Sequence, residues 1–415
     1  MTVTAARGLA TLPWPQARDT ARQAGAHRLQ PGAETALADA LGQVLAEPLT
    51  ALTDLPAFDT SAMDGWAVAG PGPWRLAMGV PPAEGWGRVL AGCRTPPPLA
   101  DGWATEIATG AQLPPGATAV LRREHGTVAG GPAPATRTLR ATTVLGPGKD
   151  VRPRGQECRS EEQLLPAGAL VTAAVLGLAA ACGHDRLTVR RRPTVELLVL
   201  GDELLTAGLP GPGLVRDALG PLLQPWLAAA GAELLGRRAV RDDFGLLRDA
   251  LRHSAAEVVV TTGGTAAGPV DFLHAALADS GARLLVDGVA VRPGHPMLLA
   301  ELPPVRPGGP VRHLVGLPGN PLAAVAGTVT LALPLLHALV GRASGGRFTR
   351  TLQPLRGLPA DTRLLPVRLT EDGPVPLAFD GPAMLRGLAL ADALAVLPPG
   401  GVAAGERVEL LPVPT

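Results

Sequence analysis

Between Thr194 and Pro321, short apolar runs recur at intervals that leave room for one helix between each pair. This alternation constrains the fold more than any other feature. TVELLVL (194–200) is predicted as a strand, Pro221–Ala230 as a helix and Glu233–Val240 as a strand. A helix follows Asp242, VVVTT (258–262) is the next strand, and Val270–Asp279 a helix. Ala282–Val291 and VRHLVGL (311–317) are strands, and a last helix follows Pro321. A run such as Val258–Val260 is too short for a helix and has no polar alternation, so it belongs in a strand covered on both faces. Strands and helices in turn argue for a parallel sheet between helical layers.

The flanking regions follow other rules. AETALADALGQVLAE (33–47) has helical spacing and ends at Pro48. From about Phe58 to Gly148 the apolar pieces are short and punctuated by Pro and Gly, which predicts a β-rich module. Thr172 is placed to cap a helix running to Cys182, with Gly183 just past its end. LLPVRL, ALAVLP and RVELLPV near the C-terminus suggest a small β-domain.

A chain of 415 residues exceeds one domain. The net charge of +1 gives no electrostatic case for nucleic acid or a membrane surface. The apolar stretch Ala169–Cys182 is shorter than the roughly 20 residues of a membrane span, and no signal peptide is visible, so a cytoplasmic location is expected. Cys93, Cys158 and Cys182 have neither zinc nor disulfide-framework spacing. Lys149 is the only lysine, which reads as composition bias towards arginine.

In open parallel sheets, ligands bind beyond the carboxyl ends of the strands. The polar clusters of the alternating region fall there: Gly201-Asp202-Glu203, Asp242-Asp243, Thr262–Asp271, Arg292–Pro296 and Gly316–Pro321. In VVVTTGGTAAGPVDF (258–272), a strand, a glycine loop and a helix start at Pro269 make an anion-binding corner. Asp271 would repel that anion unless a cation lies between them. Magnesium takes oxygen ligands, often one or two carboxylates plus a substrate phosphate, so Glu203, Asp242 and Asp271 are the expected metal ligands. Arg292 and His295 are expected on the same rim. Taken singly, each has a plainer role: Asp242 a helix cap, Glu203 a solvated loop acid, Gly263-Gly264 a tight turn, Pro318-Gly319-Asn320-Pro321 a structural turn, His295 a surface residue.

FDTSAMDGWAV (58–68), Gly201-Asp202-Glu203-Leu204, the TTGG loop with Asp271-Phe272, and GLPGNP (316–321) together resemble the molybdopterin molybdenumtransferase family, MoeA and the E-domain of gephyrin. The match runs in order from about residue 15 to the C-terminus. The resemblance implies a multidomain α/β plus β homodimer. Residues 15–57 and 147–190 would form a discontinuous elongated helical/linker domain, and 58–146 an inserted β-rich module. Residues 191–342 would be a three-layer α/β molybdopterin-binding domain, and 343–415 a C-terminal β-barrel. It implies insertion of molybdate into adenylylated molybdopterin with Mg2+, releasing AMP, with the adenylyltransferase and recipient molybdoenzymes as partners. Asp64, Thr109 and Glu157 would face the pocket from the partner subunit. Glu203, Asp242 and Asp271 would act from the α/β domain, with Gly263, Gly264, Pro318, Gly319, Asn320 and Pro321 lining it. Arg292 and His295 would hold the molybdate.

The chain departs from the family pattern at several positions. Arg292-Pro293-Gly294-His295-Pro296 stands where Lys-Pro-Gly-Lys-Pro is common. Ala266 replaces a loop serine, Asp217-Ala218-Leu219 an Asp-Ser-Asn triplet, and Glu157 stands in the RGED segment. Two rival readings are a carrier or scaffold that keeps the pterin pocket without insertion, and a molybdopterin adenylyltransferase; the inserted SAMDG module argues against the second.

Overall fold

The computed structural model describes residues 10–76, 88–130, 137–266, 272–342 and 346–413. Its central sheet has six strands in the order Glu233–Val240, Thr194–Leu200, Val258–Thr262, Arg312–Leu317, Leu298–Leu302, Arg283–Asp287. The first four are parallel. The last two are antiparallel, so the sheet is mixed, not wholly parallel as the alternation suggested. The missed strand, Leu298–Leu302, has no helix before it: the chain returns through the tight turn at Pro293–Pro296.

The strands obey the period of two that burial on both faces demands. Val195, Leu197, Val199, Val258, Val260, Val315 and Leu317 enter one core with the helices Leu219–Ala229 and Pro321–Gly327. Leu198, Leu200, Val259 and Leu314 enter the other, against Phe244–His253 and Leu273–Asp279.

Pro321–Leu339 is a continuous 19-residue apolar helix, longer than the Ala169–Cys182 stretch. Its most apolar window is 89% buried within the protein, so its surface is core. Thr328–Ala332 forms a π-helical turn within it. Pro334, which has no amide hydrogen, cannot close the bond to the Thr330 carbonyl four residues back. The Thr330 hydroxyl donates to the Ala326 carbonyl at 2.6 Å and accepts from the Trp14 indole at 2.9 Å.

Trp14 opens a helix, Trp14–Ala26, outside the elements expected from the sequence. Pro15 in its first turn is compatible with a helix start. Ala17, Ala21, Ala24 and Gly25 form its buried stripe. At Gly25 a Cβ would run into the Leu335 carbonyl and Ala338, so this helix lies directly on the Pro321–Leu339 helix.

Residues 33–47 are not a helix. Gly32–Ala36 is a strand paired antiparallel with Arg186–Arg190, followed by one 3-10 turn at Leu37–Asp39. Gly42 then turns the chain at φ +75°. The intrinsic helix preference of alanine yields here to cross-strand pairing. The Thr172-capped helix is present as Ala173–Ala181, the Thr172 hydroxyl accepting from the Val175 amide, with Gly183 at φ +96°.

The 58–148 region contains a seven-stranded sheet in which Gly65–Val68 lies between Trp103–Ile107 and Ala119–Arg122. Near the C-terminus, Thr362–Thr370, Ala393–Leu397, Arg407–Pro412 and Arg347–Arg350 pair in that order, with Gly373–Pro376 beside the first. The expected single strand 282–291 breaks at Gly288 (φ +85°). Its second half, Val289–Arg292, leaves the α/β sheet to pair with Thr362–Thr370 on one side and Leu12–Pro13 on the other. The hydrogen-bonded ladder among the described residues is an open path, and its end strands Arg347–Arg350 and Gly373–Pro376 come into contact, a Cβ at Gly373 lying 2.6 Å from the Arg350 carbonyl.

Burial holds His313 and His337 neutral, pushing both down to about 4. Their folded values lie below the unfolded value of about 6.5, so the stability they allow is fully present above 6.5 and is lost as pH falls towards 4. The loss is on the order of 3 kcal/mol per histidine. Denaturant unfolding at a series of pH values should therefore give a steep decline below 6.5, and His313→Gln should remove about half of that histidine contribution.

Candidate active site

A pocket of about 590 Å3 opens beyond the carboxyl ends of the parallel strands. Each wall comes from a strand that stops and turns. After Thr194–Leu200 the chain turns at Gly201, φ +137°. A Cβ there would sit 2.6 Å from the Glu203 carboxylate, so glycine is what allows that acid to fold back over the turn. After Glu233–Val240 come Asp242 and Asp243, and the structure divides their roles. Asp243 caps the Phe244–His253 helix, accepting from the Leu246 amide at 2.8 Å. Asp242 is not the cap: it accepts from the Asp202 amide at 3.3 Å and lines the pocket.

Val258–Thr262 leads into Gly263 and Gly264, at φ +88° and +69°, a region costly for residues with a Cβ. The Gly263 amide donates to the Leu317 carbonyl at 2.8 Å, joining this loop to the turn that carries Pro318, Gly319, Asn320 and Pro321. A Cβ on Gly319 would lie 3.7 Å from the Gly263 Cα, so the two loops meet backbone to backbone. Ala266 completes this wall.

Asp217 was noted in the sequence only as the survivor of a triplet. It is 5% exposed and lines the pocket. One carboxylate oxygen accepts from the Gly220 amide at 2.9 Å, and the other pairs with the Arg237 guanidinium at 3.0 Å. An Asp three residues before Gly220, at the start of an apolar helical run, is the signal that could have found it.

The pocket thus gathers Glu203, Asp242, Gly263, Gly264, Pro318, Gly319, Asn320 and Pro321. Asp271 lies outside the described residues. Arg292 and His295 are not brought to this rim. The Arg292 guanidinium meets Asp361 at 3.0 Å, reaching into the C-terminal unit. The His295 Nδ1 lies 2.8 Å from the Val289 carbonyl, and its own carbonyl accepts from the Val289 amide. Both are drawn away by the excursion of Val289–Arg292 into the C-terminal sheet, and Pro296 reaches the pocket instead.

Asp64, Thr109 and Glu157 are likewise absent from the lining. The Asp64 carboxylate accepts from the Thr109 amide at 2.8 Å and from its hydroxyl at 3.0 Å. These two bonds hold the Asp64 carboxyl below its ordinary value. Glu157 is exposed, its amide donating to the Leu55 carbonyl at 2.9 Å.

Among the described residues, the ionisable side chains of the pocket are Glu203, Asp217, Asp242 and Arg216. With Asp217 already bonded to Arg237, Glu203 and Asp242 supply oxygen donors from two strand ends. Among the described residues no group of three or more His, Cys, Asp or Glu could hold a metal ion. Two carboxylates fit a hard divalent cation that completes its shell with substrate oxygens and water. They do not fit an anion alone. A larger cavity of about 780 Å3 in the 58–148 region, lined by Val68, Trp74 and Leu145, has no carboxylate among its described lining residues.

Comparison with known proteins bears on this geometry. Residues 12–183 match the MoeA N-terminal region (domain I and II), 196–338 a probable molybdopterin binding domain, and 349–413 the MoeA C-terminal region (domain IV). A molybdopterin molybdenumtransferase of Nostoc sp. is 31% identical over 80% of this chain and 76% of its own length. The chain belongs to the MoeA family of molybdopterin molybdenumtransferases. A second relative so named, from Synechococcus elongatus, is 30% identical over 89% of this chain and 91% of its own. The crystal structure of the molybdopterin biosynthesis moeA protein from Pyrococcus horikosii superposes with a TM-score of 0.73 at 25% identity, covering 98% of this chain and 100% of that one.

His295 offers a direct test of these placements. If it serves the turn, His295→Asn, which keeps a polar atom near the Val289 carbonyl, should leave the pH profile of molybdate affinity between 6 and 8 parallel to wild type. An imidazole gripping the oxyanion would instead make affinity weaken as pH rises, with Asn removing that dependence.

Proposed function

We propose that this chain is a molybdopterin molybdenumtransferase of molybdenum cofactor biosynthesis, using adenylylated molybdopterin and molybdate as substrates and releasing AMP. The observation that carries the reading is the joining of two carboxylates, Glu203 and Asp242, with a positive-φ glycine loop in one pocket at the strand ends. Within a family of molybdopterin molybdenumtransferases, that set suits a phosphoanhydride approached by a cation.

Mg2+ bound by Glu203 and Asp242, with Asp271 as a further ligand on the sequence reading, would neutralise charge on the phosphates as the P–O bond breaks. This chain's own residues do the rest. Gly263 and Gly264 let the backbone approach the phosphates without a side chain in the way. Pro318–Pro321 stand beside that loop, tied to it through the Gly263 amide and the Leu317 carbonyl, and Asp217 holds the Leu219–Ala229 helix and Arg237 in register.

The reading extends to a homodimer with shared sites. Asp64, Thr109 and Glu157 line no part of the pocket formed by their own chain, which supports their acting on the pocket of a second copy. The Asp64–Thr109 pair, its carboxylate held ionised by two hydrogen bonds, presents a fixed negative charge on an exposed edge.

Purified protein with adenylylated molybdopterin, molybdate and MgCl2 should release AMP, and a chelator should stop it. Asp242→Asn should lower that release about 100-fold or more while pterin binding stays within a few fold. Release near the wild-type rate would remove Asp242 from the metal site. Mixing Asp64→Ala with Asp242→Asn protein should restore part of the lost activity through hybrid dimers; no recovery after demonstrated subunit exchange would refute the shared site.

A further inference from the structure

The start of the Pro321–Leu339 helix is closed by another part of the chain. A helix normally presents its first amides as an anion site. Here Pro321 has no amide hydrogen, and the Leu322 and Ala323 amides both donate to the Pro382 carbonyl, at 2.8 and 3.2 Å. The Ala324 amide already serves the Asn320 carbonyl at 2.8 Å. Every amide of the first turn is therefore used, two of them by a residue some sixty positions further on, between the strands of the C-terminal unit.

The next residue, Ala383, is exposed and lines the pocket. The segment that delivers it is pinned at both ends. Asp380 pairs with Arg363 at 2.6 Å, and the Arg386 guanidinium lies 4.5 Å over the Phe379 ring. Phe379 itself sits at φ +64°, unusual for a residue with a side chain, and the Met384 amide donates to the Gly381 carbonyl at 2.9 Å, closing a turn. A Cβ at Gly387 would strike the Phe379 carbonyl at 2.6 Å, so the following short helix packs tightly against this backbone.

The acids and the prolines follow different strands. Asp242 and Glu203 follow Glu233–Val240 and Thr194–Leu200 at one end of the sheet order, whereas Pro318 follows Arg312–Leu317, two strands further along, and Ala383 shares the lining with it. Anchoring a phosphate at the helix start is excluded while Pro382 occupies its amides. We propose that the Gly381–Met384 turn is a wall of the substrate site, that Ala383 contacts a planar heteroaromatic ring of the substrate, and that Asp380 is a positioning residue. The proposal rests on the reading of the pocket as a pterin-nucleotide site. The small side chain at 383 sets how much ring the pocket admits, and the Asp380–Arg363 pair sets where that wall stands.

The test is equilibrium binding to full-length protein of two probes, AMP with Mg2+ and molybdopterin, with thermal midpoints measured alongside. Ala383→Phe should weaken at least one probe by about tenfold or more at an unchanged midpoint, because the added ring projects into the site and not into the core. The probe affected identifies which ring, purine or pterin, lies against residue 383. Asp380→Asn should weaken the same probe, and Asp380→Glu should recover most of the loss. A merely structural ion pair would lower the midpoint and leave binding alone. Undiminished binding of both probes by Ala383→Phe would overturn the wall assignment alone. Failure of wild-type protein to bind either probe would overturn the pterin-nucleotide reading, and the wall assignment with it.

Discussion

The close approach of the Pro321–Leu339 helix to everything around it is the constraint on which the rest of the structure depends. Ala323, Ala324, Ala326 and Gly327 keep one side of the helix narrow enough to lie on the sheet and on the Pro293–Pro296 turn. A Cβ at Gly327 would come within 2.8 Å of Leu317, and one at Gly294 within 3.0 Å of the Ala323 carbonyl. From the other side the alanine stripe of Trp14–Ala26 presses on the same helix. Close packing of this kind transmits strain, so the GLPGNP turn at its head is fixed in position by contacts made along the whole helix. The pocket is precise because its floor is not free to move.

That helix also explains why the C-terminal unit and the α/β sheet share a boundary. The Val289–Arg292 strand passes beside it and continues into the C-terminal ladder, while Pro382 comes back to cap its first turn. Arg292 is held by Asp361 and His295 by the Val289 carbonyl as parts of this seam. Neither side chain lines the pocket, where Arg216 is the one cationic residue among the described lining.

Much of the site was legible in the sequence because it follows from local rules. A buried strand must end, and the residues after it must be those that tolerate odd dihedrals or carry charge: Gly201, Glu203, Asp242, Gly263 and Gly264 all fall in that class. What escaped was set by distant partners. Whether residues 33–47 form helix or strand is decided by Arg186–Arg190, some 150 residues away. The antiparallel edge of the sheet depends on Leu298–Leu302 folding back from a turn that carries no hairpin signature. The division of labour between Asp242 and Asp243 is a matter of one residue of register, below the resolution of a capping rule. Asp217 follows only the two-residue strand Val215–Arg216, outside the central sheet, and Ala383 lies in a loop of the C-terminal unit, so no rule about the ends of the central strands could nominate them.

The electrostatics of the pocket follow from the same geometry. Glu203 and Asp242 are placed by strand ends that a parallel sheet necessarily brings together, and Asp217 stands near them but is bonded to Arg237 and to the Gly220 amide. Glu203 and Asp242 repel a phosphate by a few kcal/mol at an effective dielectric near about 20, a repulsion that Arg216 on the same lining offsets in part. A cation reverses the sign of that interaction without moving any protein atom. The helix start, the usual competitor for a phosphate, has been taken by the Pro382 carbonyl. On the proposed reading, an anionic substrate would be directed to the glycine loop through a cation held by the acids. Its uncharged ring would then be left the part of the lining formed by Pro296, Pro318 and Ala383.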